Sequence, residues 1–212
     1  MTRVVVTRPE DQAAPLVTRL AELGAEVVLY PLVRIEPLGD DPIDASGYDW
    51  LVVTSPNGAR ELARRLALPP RALAAIGPGT AAALAEHGLE ADLVARTHTQ
   101  EGLLEELPRP LGRVLLAAAE GARRLLVDEL GADFLPLYRT VELAPPAPPE
   151  GDLVLLASPS AASALAATGA AIPVVTIGPQ TTEAAAAAGL EVVAEAESSD
   201  LDGLIAAVAP LL

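Results

Sequence analysis

The chain has 212 residues, 51% of them apolar, with 14 basic and 29 acidic side chains and a formal net charge of −15. It contains no cysteine, which excludes disulfides, thiolate metal sites and a cysteine nucleophile. Every basic residue is arginine and aromatic residues are only 2% of the chain, so an acidic surface with little to stack on a base excludes nucleic acid as a partner.

In chain order, "RVVV" (residues 3–6) is a short β-branched run, and the helical composition of residues 9–23 follows it. "EVVLY" (26–30) reads as the next strand, and "VRIEPLGDDP" (33–42) as an extended stretch in which X-Pro steps disfavour helix. "WLVVT" (50–54) precedes a helix over 58–68, and "ALAAI" (72–76) precedes one over 80–87. The rhythm resumes with "RVLLA" from Arg113, pauses at the proline-rich "RTVELAPPAPPEGD" (139–152), and continues through "DLVLLASPSAASALA" and "IGPQTTEAAAAAGLE". Strands alternating with helices of this length indicate βαβ units and parallel sheets, so the fold class is doubly wound α/β of flavodoxin-like plan.

The chain also repeats itself. "IGPGTAAALAEHGLE" from Ile76 returns as "IGPQTTEAAAAAGLE" from Ile177, and the register holds without a gap from Gly88 and Gly189 to Gly102 and Gly203. "DWLVVTSPNGARELA" (49–63) is answered by "DLVLLASPSAASALA" (152–166), and "RVVVT…LGAEVVLYPLVRIEP" more faintly by "RVLLA…LGADFLPLYRTVEL". Two copies of one α/β plan therefore form two domains, each long enough to bury its own core. A chain that crosses between domains twice would use both proline-bearing stretches, whereas a division near residue 110 would use one; the pattern allows either. No apolar run reaches the roughly 20 residues of a membrane span, and the amino end lacks a signal-peptide core, so the expectation is a cytoplasmic protein without a membrane partner.

Strand ends carry the strongest local signals. Thr7-Arg8-Pro9-Glu10, Ser55-Pro56-Asn57-Gly58, Gly77-Pro78-Gly79-Thr80, Ser158-Pro159-Ser160 and Gly178-Pro179-Gln180-Thr181 each take a strand into a helix, with proline at the first helical position, and Thr7 with Glu10 has capping-box spacing. Helix amino ends at the carboxyl edge of a sheet favour anions. Any one of these turns is also an ordinary cap; their recurrence in both halves points to an anionic ligand.

Other chemistry is absent. His87 and His98 lack ligand spacing, so no metal site is expected, and there is no G-x-S-x-G elbow or P-loop. "GPGTAA" fits a relaxed dinucleotide pattern, but its copy replaces a glycine with Gln180. Among three tyrosines, Tyr138 stands in "PLYRTVEL", where a strand enters the second connector; its phenol either packs there or offers a proton in an interdomain cleft.

"VVVTRP", "YDWLVVTSPNG", "IGPGTAAAL", "PLYRTV", the second "SPSA" and "IGPQTTEAA" together resemble, in order, the landmarks of the uroporphyrinogen-III synthase family, from Arg3 to about Leu204. The resemblance implies a bilobed protein: residues 1–34 with 145–212 in one flavodoxin-like domain, 38–140 in the other, and a two-stranded connector at about 34–38 and 140–149. It implies a monomeric, cofactor-independent lyase that cyclises hydroxymethylbilane, a linear tetrapyrrole with eight carboxylates, to uroporphyrinogen III with inversion of ring D and loss of water. It also implies that Tyr138 assists departure of the hydroxyl and that Arg8, Ser55, Asn57, Thr80, Ser158, Ser160 and Thr181 contact substrate. "TSPNG" and "PPAPPEG" depart from the usual pattern without displacing those positions. A non-enzymatic two-lobed protein for small anions or tetrapyrroles, and a synthase-like protein without turnover, are the alternatives.

Overall fold

A computed structural model describes residues 1–212. The elements are β1 (Arg3–Val6), α1 (Glu10–Glu22), β2 (Glu26–Leu29), β3 (Val33–Pro37), β4 (Ile43–Asp44), β5 (Trp50–Val53), α2 (Pro56–Arg65), β6 (Leu66–Leu68), β7 (Ala72–Ala75), α3 (Pro78–Ala85), β8 (Leu93–Val94), α4 (Gln100–Glu106) and β9 (Val114–Ala119). They continue as α5 (Leu125–Leu130), β10 (Asp133–Glu142), β11 (Leu153–Leu156), α6 (Pro159–Ala167), β12 (Val174–Thr176), α7 (Pro179–Ala187), β13 (Val192–Glu195) and α8 (Leu201–Val208). These divide into two compact units, Met1–Arg34 with Thr140–Leu212, and Ile35–Arg139. Both boundaries fall inside strands, β3 and β10.

The unit holding both chain ends has a parallel sheet in the order β13-β12-β11-β1-β2. Alternation decides its layers. Val4, Val6, Leu153, Leu155 and Val175 pack against α1 and α8, while Val5, Val154, Leu156 and Val174 pack against α6 and α7. Because both faces are covered, the strands read as continuous apolar runs rather than alternating ones. Counted within the unit, the order is 2-1-3-4-5, the flavodoxin-like arrangement. Its ends meet: the Thr2 hydroxyl donates to the Leu212 carbonyl at 2.8 Å.

The other unit has the order β3-β10-β9-β5-β7-β8, with β4 and β6 as a separate pair. Leu51, Val53, Leu73, Ala75, Leu115 and Ala117 pack against α2 and α3; Val52, Ala74, Leu116 and Ala118 pack against α4 and α5. Here β9 and β10 take the places that β1 and β2 hold in the first unit, and β5, β7 and β8 those of β11, β12 and β13. The amino edges agree in detail. The Arg3 N–H donates to Asp152 at 2.7 Å and its guanidinium to Glu26 at 3.1 Å; the Arg113 N–H donates to Asp49 at 2.9 Å and its guanidinium to Asp133 at 3.0 Å. Each unit thus combines the leading part of one sequence copy with the trailing part of the other, which requires the chain to cross twice.

Two local expectations are corrected. The helix expected over 58–68 ends at Arg65, because Leu66 turns extended (φ −66°, ψ 107°) and Leu66–Leu68 pairs with β4 ahead of Pro69 and Pro70. Thr7 does not cap α1: its side chain is fully buried and donates to the Leu155 carbonyl at 2.7 Å, while Pro9 occupies the cap without a side-chain bond. A cross-strand partner wins over the local capping box.

Candidate functional site

At the carboxyl end of β5, the Ser55 Oγ accepts the Gly58 N–H at 3.0 Å and Pro56 opens α2. At the equivalent end of β11, the Ser158 Oγ accepts the Ala161 N–H at 3.2 Å and Pro159 opens α6. β7 and β12 lead instead through Gly77-Pro78 and Gly178-Pro179 into α3 and α7. A Cβ on Gly77 would lie 2.9 Å from the His98 ring, and one on Gly178 would lie 2.5 Å from the Ser199 Oγ, so a larger residue at either position would have to displace a side chain of the neighbouring loop. The duplicated phrase thus places a glycine against a neighbouring loop side chain in each unit.

Charge separates these four helices from the rest. The first turns of α1, α4, α5 and α8 carry Glu10 with Asp11, Glu101, Asp128 and Asp202. Those of α2, α3, α6 and α7 carry no acid, in a chain with 29 acidic residues. An acid there would stabilise the helix, so its omission leaves the positive ends uncompensated and fit for an external anion. The amino edges behave in the opposite way. A hollow of about 320 Å³ beside Arg3 is lined by Glu26 and Asp152, which already neutralise that arginine.

In the unit spanning Ile35–Arg139 the structure brings Ser55, Asn57, Thr80 and Tyr138 to the carboxyl edge. Tyr138 is 6% exposed, packed with Leu51, Val53, Leu115 and Ala117 beyond an irregularity in the β9–β10 register. Its hydroxyl lies 2.9 Å from the Ser55 Oγ. Burial raises the phenol pKa, and the Ser55 hydrogen bond opposes that shift only in part. The phenol is therefore a neutral proton carrier at physiological pH. Ser55 already accepts the Gly58 N–H, so when its own proton goes to the Tyr138 oxygen, the phenolic O–H is released to donate outward. The Asn57 Oδ1 accepts from the Arg60 guanidinium at 3.3 Å. Thr80 is buried, and its N–H closes the first turn of α3 onto the Gly77 carbonyl at 3.1 Å.

The equivalent edge of the other unit carries Arg8, Ser158, Ser160 and Thr181. Arg8 is half-buried just beyond β1, Ser160 stands in the first turn of α6, and buried Thr181 closes α7 onto the Gly178 carbonyl at 3.0 Å. Thr176 and Thr182 share a hydroxyl hydrogen bond of 2.5 Å that ties β12 to α7. Sequence reasoning passed over Arg60 and the missing first-turn acids, both of which are visible by inspecting the residues after each cap. No group of three or more histidine, aspartate or glutamate side chains gathers in a metal-binding arrangement, and no helix is long and apolar enough to cross a membrane.

A family model described as uroporphyrinogen-III synthase HemD matches residues 14–206. The uroporphyrinogen-III synthase of Synechococcus elongatus is 31% identical over 143 residues, 60% of this chain and 54% of that protein. The one from Chlorobaculum parvum is 27% identical over 146 residues, 63% of this chain and 59% of that protein. The chain thus matches little more than half the length of these relatives. Among solved structures, a mutant uroporphyrinogen III synthase from Thermus thermophilus superposes with a TM-score of 0.62 at 18% identity, over 97% of this chain and 96% of that one, which shows a shared fold.

Proposed function

The chain belongs to the uroporphyrinogen-III synthase family, and from that membership we propose that it is a cytoplasmic, cofactor-independent lyase converting hydroxymethylbilane to uroporphyrinogen III. The observation that carries this reading is the absence of acids from the first turns of α2, α3, α6 and α7 in a protein of net charge −15. A substrate with eight carboxylates must be drawn in against the overall field. Uncharged amide donors do this locally: each helix end contributes about 0.3 to 1 kcal/mol when exposed and up to about 2 when partly buried, while distant acids are screened by salt.

The reaction begins with loss of the hydroxyl from the ring A hydroxymethyl group. That oxygen leaves as water once it gains a proton, the electron pair of the pyrrole nitrogen fills the vacancy, and loss of the nitrogen's own proton leaves a neutral azafulvene. We assign the proton gained by the leaving oxygen to the Tyr138 O–H, which is free to donate when Ser55 donates to its oxygen. Ring D then attacks through its substituted carbon, forms a spiro intermediate, and fragments and recloses in the inverted sense. Uncatalysed closure gives the uninverted isomer I, so the protein acts chiefly by holding the folded conformer in which the substituted carbon is nearer. Ser55, Asn57 and Thr80 in one unit, and Arg8, Ser158, Ser160 and Thr181 in the other, are the proposed contacts to the acetate and propionate groups.

The test is product identity. The protein is supplied with hydroxymethylbilane, the porphyrinogens are oxidised, and the ratio of isomer III to isomer I is measured. A predominance of III that scales with protein concentration is expected. Isomer I at every concentration rejects the synthase reading and leaves a binding protein.

A further inference from the structure

We propose that Arg60 is a positioning and specificity residue which fixes Asn57 as a hydrogen-bond donor to a substrate carboxylate and adds one formal positive charge beside it; this rests on the synthase reading above. Three arginines lie along α2. Arg64 is spent on Asp40 at 2.6 Å and on Glu61 at 2.9 Å, and Arg65 holds the Leu38 and Asp41 carbonyls at 3.0 and 2.9 Å, so both stitch the loop after β3 to the helix. Arg60 differs. It is half-buried, it has no carboxylate partner, and it bonds the neutral Asn57 side chain.

Its position is costly for the helix. Side chains on a helix lean toward the amino end, which brings this cation back over a first turn that holds no acid, and there it opposes the dipole. A local arrangement that works against stability without a compensating partner marks a functional position. The hydrogen bond also settles the asparagine amide. A guanidinium only donates, so the atom facing it is the carbonyl oxygen, and the Asn57 NH₂ is turned away with both protons available. Asn57 and Arg60 together thus present donors only, on the same helix start that Ser55 caps. That chemistry recognises a carboxylate and rejects a neutral or cationic group.

The experiment uses the full chain with hydroxymethylbilane and follows isomer III formation and thermal stability together. In Arg60→Met, KM is expected to rise about five- to tenfold, the size of one partly solvated charge-assisted hydrogen bond, with kcat within about twofold and Tm not lowered. Arg60→Lys keeps the charge and is expected to recover part of the lost affinity. Asn57→Asp is expected to raise Tm, because the new carboxylate pairs with Arg60 and suits the helix end, while KM rises by more than tenfold as a donor becomes an anion. A structural role alone would not move stability and affinity in opposite directions. An unchanged KM in Arg60→Met or in Asn57→Asp overturns the assignment while the synthase reading stands. Failure of Arg60→Met to fold also overturns it, since Arg60 would then support structure. If the unmodified chain yields only isomer I, the synthase reading falls first and the assignment falls with it.

Discussion

The Tyr138 hydroxyl has one polar partner, and that partner is itself committed to a helix cap. Replacing the tyrosine with phenylalanine keeps the ring that packs on Leu51 and Val53 and removes the hydroxyl together with its hydrogen bond to Ser55. In Tyr138→Phe, kcat is expected to fall by about a hundredfold, at the low end for general acid catalysis, while isomer III remains the product, because conformer selection does not depend on the phenol. Product analysis alongside initial rates checks both parts. The pH dependence follows from burial. A phenol whose folded pKa is raised contributes stability that is fully present below its ordinary value near 10 and is lost as pH rises through the raised value, so the alkaline unfolding transition should move upward in Tyr138→Phe. Tyr138 stood out in the sequence only by rarity and by the family landmark. Its partner lies 83 residues away, and no local pattern reports a contact of that range.

At the scale of elements, the caps were the most legible feature, because Ser-Pro and Gly-Pro turns impose their geometry on the residues that follow. The sequence pattern carries α2 three residues too far, since a leucine-rich run suits helix and strand alike until Pro69 and Pro70 decide the matter. The pairing of β4 with β6 was hidden for the same reason. The missing acids lead to a direct test in α7, where Gln180 stands in the first turn. Gln180→Glu changes shape little and adds the charge that α1, α4, α5 and α8 already carry. It is expected to stabilise the fold by about 0.3 to 1 kcal/mol in urea titration and to raise KM several-fold, whereas a lowered or unchanged KM would show that α7 does not face the anion.

Across the whole molecule, net charge and local potential have opposite signs, and salt separates them. Raising ionic strength from about 0.01 to 0.15 M shortens the screening length from roughly 30 to 8 Å, which suppresses repulsion by distant acids before it weakens contacts at the helix ends. kcat/KM is therefore expected to rise with added salt over that range and then decline. A monotonic fall from the lowest salt would mean that attraction already dominates at long range. The α/β class and the repeat could be read from the sequence because periodicity and duplication are local records. The exchange of halves between units is not legible in periodicity, which allows one crossing or two; it enters the sequence reading only through the family resemblance, because the pairing of β1 with β11 and of β9 with β5 joins strands far apart in the chain.

The hydrogen bond from Thr2 to the Leu212 carbonyl closes this chain into something close to a ring. On a ring, the starting point is a convention. If residue 212 were spliced to residue 1 and the backbone opened near Thr140, the unit now built from both extremities would become a single uninterrupted stretch, and its neighbour would already be one. The interleaved order thus belongs to the connectivity of the chain, and the architecture itself is indifferent to it.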